Sequence, residues 1–326
     1  MASGAAAGLL APSVGHLPDA VRPFFEASLR EYPEFIERLG RFDANLTLLP
    51  GLIEVVAASR VSERHAGARH LTSGEVAQLE PAIVAPDGAL LHEHDGAVDN
   101  ARLMQALREA ATQSGALWKG NDPVAALHTT NGLSASTASG QRIAADWIVL
   151  AAGAWTSAIN GLPRALPVDP LKGQMLAVAA NPARFRLKHA VMSHDVYLVP
   201  RGDDIVIGAT AERVGFDLSV QPSVIESLQR SASAVCPPIA DAPVRRAWAG
   251  IRPATPDMLP IIGPDPDVPH LVYACGHSKN GILLAPATAR AITELVTGTP
   301  ATLGTSEFSI GRFAPRQAAA NPIDRL

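Results

Sequence analysis

Cysteine is nearly absent from this chain. The two that occur among 326 residues, Cys236 and Cys275, are far apart and form no CxxC pair, which argues against a disulfide framework or a structural zinc site and points to a reducing cytoplasm. Charge is sparse as well. Only 18% of residues carry it, and 27 basic against 31 acidic side chains leave a net charge of −4, with no basic surplus to neutralise a nucleic-acid backbone. No apolar run approaches the roughly 18 residues of a membrane span. The longest, Trp147 to Trp155, is short and contains Gly153. Met1 to Pro12 has no basic stretch and a glycine-broken apolar part, unlike a secretion signal. GxSxG, HExxH and P-loop patterns are missing, so hydrolase and triphosphatase readings find no support.

What the chain has is apolar mass, 47% of its residues, at a length that suggests two domains. Helical periodicity runs from Ala20 to Leu39, interrupted by Pro33, and predicts a helix in one or two pieces. Leu46 to Ala57 reads as two strands joined by a turn at Pro50 and Gly51. Short and long helices are expected after Thr72 or Ser73 and after Asp99 or Asn100, each opened by a capping side chain. Asn131-Gly132 marks a hairpin between Val124–Thr129 and Leu133–Thr137. The non-alternating run from Asp146 to Ala151 predicts a parallel strand buried on both faces. Alternating strands at 175–179, 196–200 and 205–209 follow, then a helix over 223–235, strands at 259–263 and 271–274, and a closing helix over 281–296. The tail past Phe313 reads as loose. The fold class is mixed α/β (α+β).

Three stretches combine glycines with apolar strands in a way that would let a large cofactor approach: SGAAAGLL (Ser3 to Leu10), LAAGAW (Leu150 to Trp155) and CGHSKNGILLAP (Cys275 to Pro286). The first also reads as an ordinary terminus and the second as a plain strand end. A helix start in the third would aim N–H groups at negative charge in front of it. Arg252 stands in AGIRP as either a solvated turn residue or a carboxylate clamp. Tyr197 is either a packing residue or a substrate contact. His92, Glu93, His94 and Asp95 read as a loop without the further ligands that a metal site needs.

Together SGAAAGLLAP, DGAVDNARLMQAL, ADWIVLAAGAWT, VYLVPRGDDIVIGAT, AWAGIRPATPDMLPIIG and ACGHSKNGILLAPATA resemble, in order, the FAD-dependent D-amino-acid oxidase superfamily, most closely its glycine oxidase branch that serves thiamine synthesis. The resemblance spans Ala2 to about Val296. It implies a Rossmann-like FAD domain from 1–40, 95–165 and 250–326, and a substrate domain with a mainly antiparallel sheet from 41–94 and 166–249. Ser3, Ala7, Gly8 and Leu9 would line the flavin, Val124 would meet its adenine end, and His277, Asn280, Gly281, Ile282 and Leu283 would wrap the isoalloxazine. Arg252 would pair with the substrate carboxylate, helped by Tyr197. Lys279 stands where these enzymes commonly carry arginine, keeping the charge but losing the planar fork.

Implied partners are a small amino acid or amine, molecular oxygen and, as one alternative, further copies of the chain. Members of this family open with a strand, a GxGxxG turn and a helix that cradles the pyrophosphate, and no GxGxxG occurs here. The expectation is a reading frame that starts further upstream; the competing expectation is a truncated remnant that does not hold FAD. A D-amino-acid or sarcosine-type dehydrogenase with another electron acceptor is the rival within enzymes.

Overall fold

A computed structural model describes residues 2–15, 17–57, 67–130, 132–180 and 185–313; the tail expected to be loose lies outside them. Two 11-residue strands, β9 (Asp169–Ala179) and β13 (Val244–Ala254), pair antiparallel along their length. They form one side of a nine-stranded sheet. Its path runs β1 (Leu9–Leu10), β4 (Ala89–Val98), β2 (Leu48–Val55), β10 (Ala190–Met192), β11 (Tyr197–Arg201), β12 (Asp204–Gly208), β9, β13, with β3 (Arg69–Leu71) attached to β4. Within this sheet, among the described residues, only β10 and β2 pair in parallel. The β11–β12 hairpin turns at Gly202, whose φ of 59° suits glycine.

Within Leu46–Ala57 a single strand, β2, forms where two were expected. Pro50, which has no N–H, and Gly51, at φ 80°, are absorbed as a bulge against β4. The partner side of that irregularity holds Glu93, His94 and Asp95, so the HEHD stretch belongs to strand β4 and is not a loop.

Apolar alternation gives the large sheet two faces. One packs Ile53, Leu91, Leu176, Val178, Leu198 and Ile207 against α3 (Ser73–Leu79) and α5 (Pro222–Val235). Thr72 caps α3 in a reciprocal box with Glu75. The other face carries Leu52, Met175, Ala190, Val199 and Val206, with Ala7 packed among them. Each fully buried Leu, Ile or Val contributes about 1.5–3 kcal/mol relative to exposure.

A helical layer lies elsewhere, built from α2 (Arg22–Leu39), α4 (Asn100–Gln113) and α6 (Ala285–Thr297) around Phe24, Phe25, Tyr32, Leu103 and Ala287. α2 runs unbroken through Pro33. Asp99 caps α4 by accepting from the Ala101 and Arg102 amides.

Strand β8 (Ile148–Leu150) pairs in parallel with β15 (Leu271–Cys275), which pairs antiparallel with β14 (Ile261–Pro264). The parallel partner was expected; burial on both faces was not realised, because β8 is an edge strand and Val149 is 41% exposed. A third sheet joins β5 (Val124–His128), β6 (Ser134–Thr137) and β7 (Arg142–Ala144).

Candidate active site

Cross-strand register sets Glu54, Met192, Tyr197, Gly208, Met175 and Trp248 side by side across six strands. Gly208 leaves the space that the Tyr197 ring occupies: a Cβ there would sit 2.4 Å from the phenol oxygen. Gly173 on β9 does the same for Arg252, since its Cβ would fall 2.4 Å from Nη1 and 2.7 Å from Cζ. Two glycines thus let a guanidinium and a phenol lie flat along one face. Neither was singled out by sequence reasoning, because a glycine inside a strand signals room without saying what fills it.

The guanidinium is aimed by Thr210. Arg252 Nη1 donates to the Thr210 carbonyl at 2.9 Å. The Thr210 hydroxyl accepts from the Gln174 amide at 2.9 Å and donates to the Glu212 carboxylate, which also accepts from Gln174 Nε2 at 2.9 Å. These bonds hold the Glu212 carboxyl below its ordinary range. Beside them the buried Lys172 ammonium donates to Asp217 at 2.6 Å and pulls that carboxyl far down. Burial raises the Tyr197 pKa while the neighbouring Arg252 charge works against it, and the hydroxyl donates to Met175 Sδ at 3.7 Å. The remaining guanidinium donors suit a planar carboxylate.

Before α6 the chain makes the turn that holds His277, Lys279, Asn280, Gly281, Ile282 and Leu283. Lys279 is exposed. The Ile282 and Leu283 side chains are buried in the helical layer, and their carbonyls accept from the Tyr32 hydroxyl and, at 2.8 Å, from Ser28 Oγ. The expected donation from the helix start shifts by one turn. Pro286 has no N–H, the Ala285 amide donates to Ile282, and the Ala287 amide donates to Ser28 Oγ at 3.2 Å. Among the described residues, the amides of Gly281, Ile282 and Leu283 meet no acceptor. Burial pushes His277 down to about 4, so the imidazole is neutral at neutral pH, its Nε2 3.1 Å from Thr288 Oγ1. Ser28→Ala, which orphans both the Leu283 carbonyl and the Ala287 amide, is expected to cost about 2 kcal/mol in urea unfolding.

The opening segment forms α1 (Ala2–Ala5), a turn of small residues lying against β13: the Ala5 carbonyl accepts from the Trp248 indole at 2.9 Å, and a Cβ at Gly250 would strike the Ala5 methyl at 2.5 Å. Gly8, at φ 78°, runs so close to β4 that a Cβ would fall 1.9 Å from the Val98 carbonyl. Asn100 Nδ2 donates to the Ser3 carbonyl at 2.6 Å, while Asn100 Oδ1, also buried, has no partner. An orphaned acceptor beside small residues and a turn with open amides fit the ring and ribityl end of FAD. At the diphosphate end, the described residues supply no GxGxxG turn running into a helix.

Val124 lies apart, 39% exposed on the three-stranded β5–β6–β7 sheet. A cleft of about 530 Å³ opens at the far end of β11 from Tyr197, where Arg102, Arg186 and Arg201 face Asp99 and Asp204. Among the described residues no group of His, Cys, Asp and Glu is arranged to hold a metal, and no helix is long and apolar enough to cross a membrane.

A family model described as FAD dependent oxidoreductase matches residues 1–295. The bifunctional protein ThiO/ThiG of Trichormus variabilis is 34% identical over 339 residues, covering 99% of this chain and 51% of its own length. A glycine oxidase of Pseudomonas putida is 40% identical over 158 residues, 48% of this chain and 43% of that protein. The crystal structure of glycine oxidase from Geobacillus kaustophilus superposes with a TM-score of 0.87 at 30% identity, covering 95% of this chain and 88% of the other. The chain spans about half the length of the first curated relatives it matches.

Proposed function

The chain belongs to the FAD dependent oxidoreductase family, and within it we propose that this protein oxidises glycine or another small amino acid or amine, with oxygen as the electron acceptor. The observation that carries the reading is the pair of Arg252 and Tyr197, laid over Gly173 and Gly208 on one face of the sheet. The guanidinium binds the substrate carboxylate through a charge-assisted fork, and the phenol adds a second hydrogen bond. Fixing that end orients Cα and shortens the search for a reactive pose. Lys279 contributes a further positive charge without a planar fork.

The Ser3–Leu9 segment and the turn through Leu283 would hold FAD, with the open amides of Gly281, Ile282 and Leu283 placed to stabilise negative charge. When bound, FAD would accept the hydride leaving Cα, with oxygen then taking the electron pair as hydrogen peroxide. The imino acid left behind hydrolyses or passes to thiazole assembly for thiamine. In this reading the nine-stranded sheet forms most of the substrate domain, and α2, α4, α6 and the β8–β15 pair form most of the flavin domain, in a cytoplasmic enzyme.

The test is to purify the full chain, reconstitute it with excess FAD and remove the free cofactor. Retained visible flavin absorbance, together with amine-dependent peroxide in air, is the expected result. Colourless protein would overturn the proposal. Dye reduction without peroxide would move the activity to a dehydrogenase using another acceptor.

A further inference from the structure

β1 ends at Leu10, which pairs with Gly96, and the chain then turns over Pro12–Gly15. Directly before Gly96, in the bulge of β4, stands Asp95, only 2% exposed. Its two oxygens take separate bonds from one residue of the turn: Oδ1 accepts from Ser13 Oγ at 2.9 Å and Oδ2 from the Ser13 amide at 3.3 Å. Among the described residues Ser13 is its only hydrogen-bond partner. A buried carboxylate is costly unless it is bonded, and here its bonds are spent on a surface turn.

What the turn carries explains that use. Val14, next to Ser13, packs onto the same apolar layer as Met192 and Tyr197. Gly15, at φ 85°, lies so near Lys279 that a Cβ on it would come within 4.0 Å of the ammonium nitrogen. One anchored turn therefore brings an apolar side chain to the Tyr197 face and borders the Lys279 charge. The charged groups near Asp95 are His94 and Glu93 in its own bulge, and His92, whose Nε2 lies 3.0 Å from Glu54 on β2. Among the described residues, His92, Glu93 and His94 make no hydrogen bond to the turn.

Resting on the function proposed above, we propose that Asp95 is a positioning residue: through Ser13 it holds the Pro12–Gly15 turn against the sheet, so that Val14 limits the space beside Tyr197 and Met192 to small amino acids. Burial is the largest influence on the Asp95 carboxyl and leaves it raised to about 6, with the Ser13 bonds, His92 and His94 acting against it.

Ser13→Ala and Asp95→Asn weaken the anchor, and Ser13→Thr keeps the hydroxyl. In limited proteolysis with a broad-specificity protease, read by mass spectrometry, cutting within Ala11–Gly15 should quicken about tenfold in the first two variants and return to the parent rate in Ser13→Thr, with other sites unchanged. In the FAD-loaded chain, KM for glycine should rise about tenfold with kcat within about twofold, and the preference for glycine over a bulkier amino acid should shrink. Unchanged cutting would overturn the anchor. Faster cutting with an unchanged substrate preference would overturn the positioning role. Should the parent chain oxidise no amine, the proposed function and this substrate-limiting role fall together, and the proteolysis alone still decides whether Asp95 anchors the turn.

Discussion

Arg252→Met will lower kcat/KM for glycine by about 10²- to 10³-fold, the equivalent of about 3–4 kcal/mol, as expected when one partner of a desolvated, hydrogen-bonded charge pair is removed. Most of the loss should fall on KM, because the carboxylate is gripped alike before and during the reaction. Arg252→Lys should recover about tenfold over the methionine variant, restoring charge without the fork that a carboxylate matches. Urea unfolding should barely distinguish the three proteins, since the guanidinium is only half-buried and its one backbone bond goes to Thr210. Steady-state kinetics with glycine check the prediction, and a methionine variant within threefold of the parent would remove the clamp from the account.

Adding a single methyl group beneath the same side chain should be nearly as damaging. In Gly173→Ala the new Cβ would begin 2.4 Å from Nη1 and 2.6 Å from Nη2. The atoms in its way are the far end of a flexible side chain, so the guanidinium moves and the strand stays. We expect kcat/KM to fall about 10²-fold while the melting temperature changes by only a few degrees. Gly208→Ala should act alike through Tyr197, whose oxygen would lie 2.4 Å from the added carbon, with a smaller kinetic loss because a neutral hydroxyl contributes less than a charge. The decisive measurement is the double variant. If Gly173→Ala acts through the guanidinium, it should add less than about threefold to Arg252→Met, since the two changes then remove one interaction. Full additivity would assign Gly173 a separate role.

How far the sequence went can be judged from particular places. Capping residues act locally, and Thr72 and Asp99 were both legible as helix starts. Tyr197 and Arg252 could be nominated from their segments, but their meeting depends on the register of β11, β12, β9 and β13, which no local pattern encodes. β13 escaped notice because its eleven residues mix Arg, Trp, Gly and Pro without clean alternation. Pro50-Gly51 looked like a turn because the same dipeptide serves a bulge when a partner strand supplies an irregularity of its own. The run at 148–150 looked doubly buried because apolar composition reports what a strand tolerates, and its position at a sheet edge is a property of topology. Asp95 stood out only as part of the HEHD stretch, and nothing local pointed to its pairing with Ser13, 82 positions away.

The packing of Ala5 into the gap left by Gly250, secured by the Trp248 indole, bears on how the protein is made. Ala5 finds its resting place only against a strand from the last third of the chain. Contacts of such long sequence separation close slowly, so the Ala2–Ala5 segment is expected to settle late in folding.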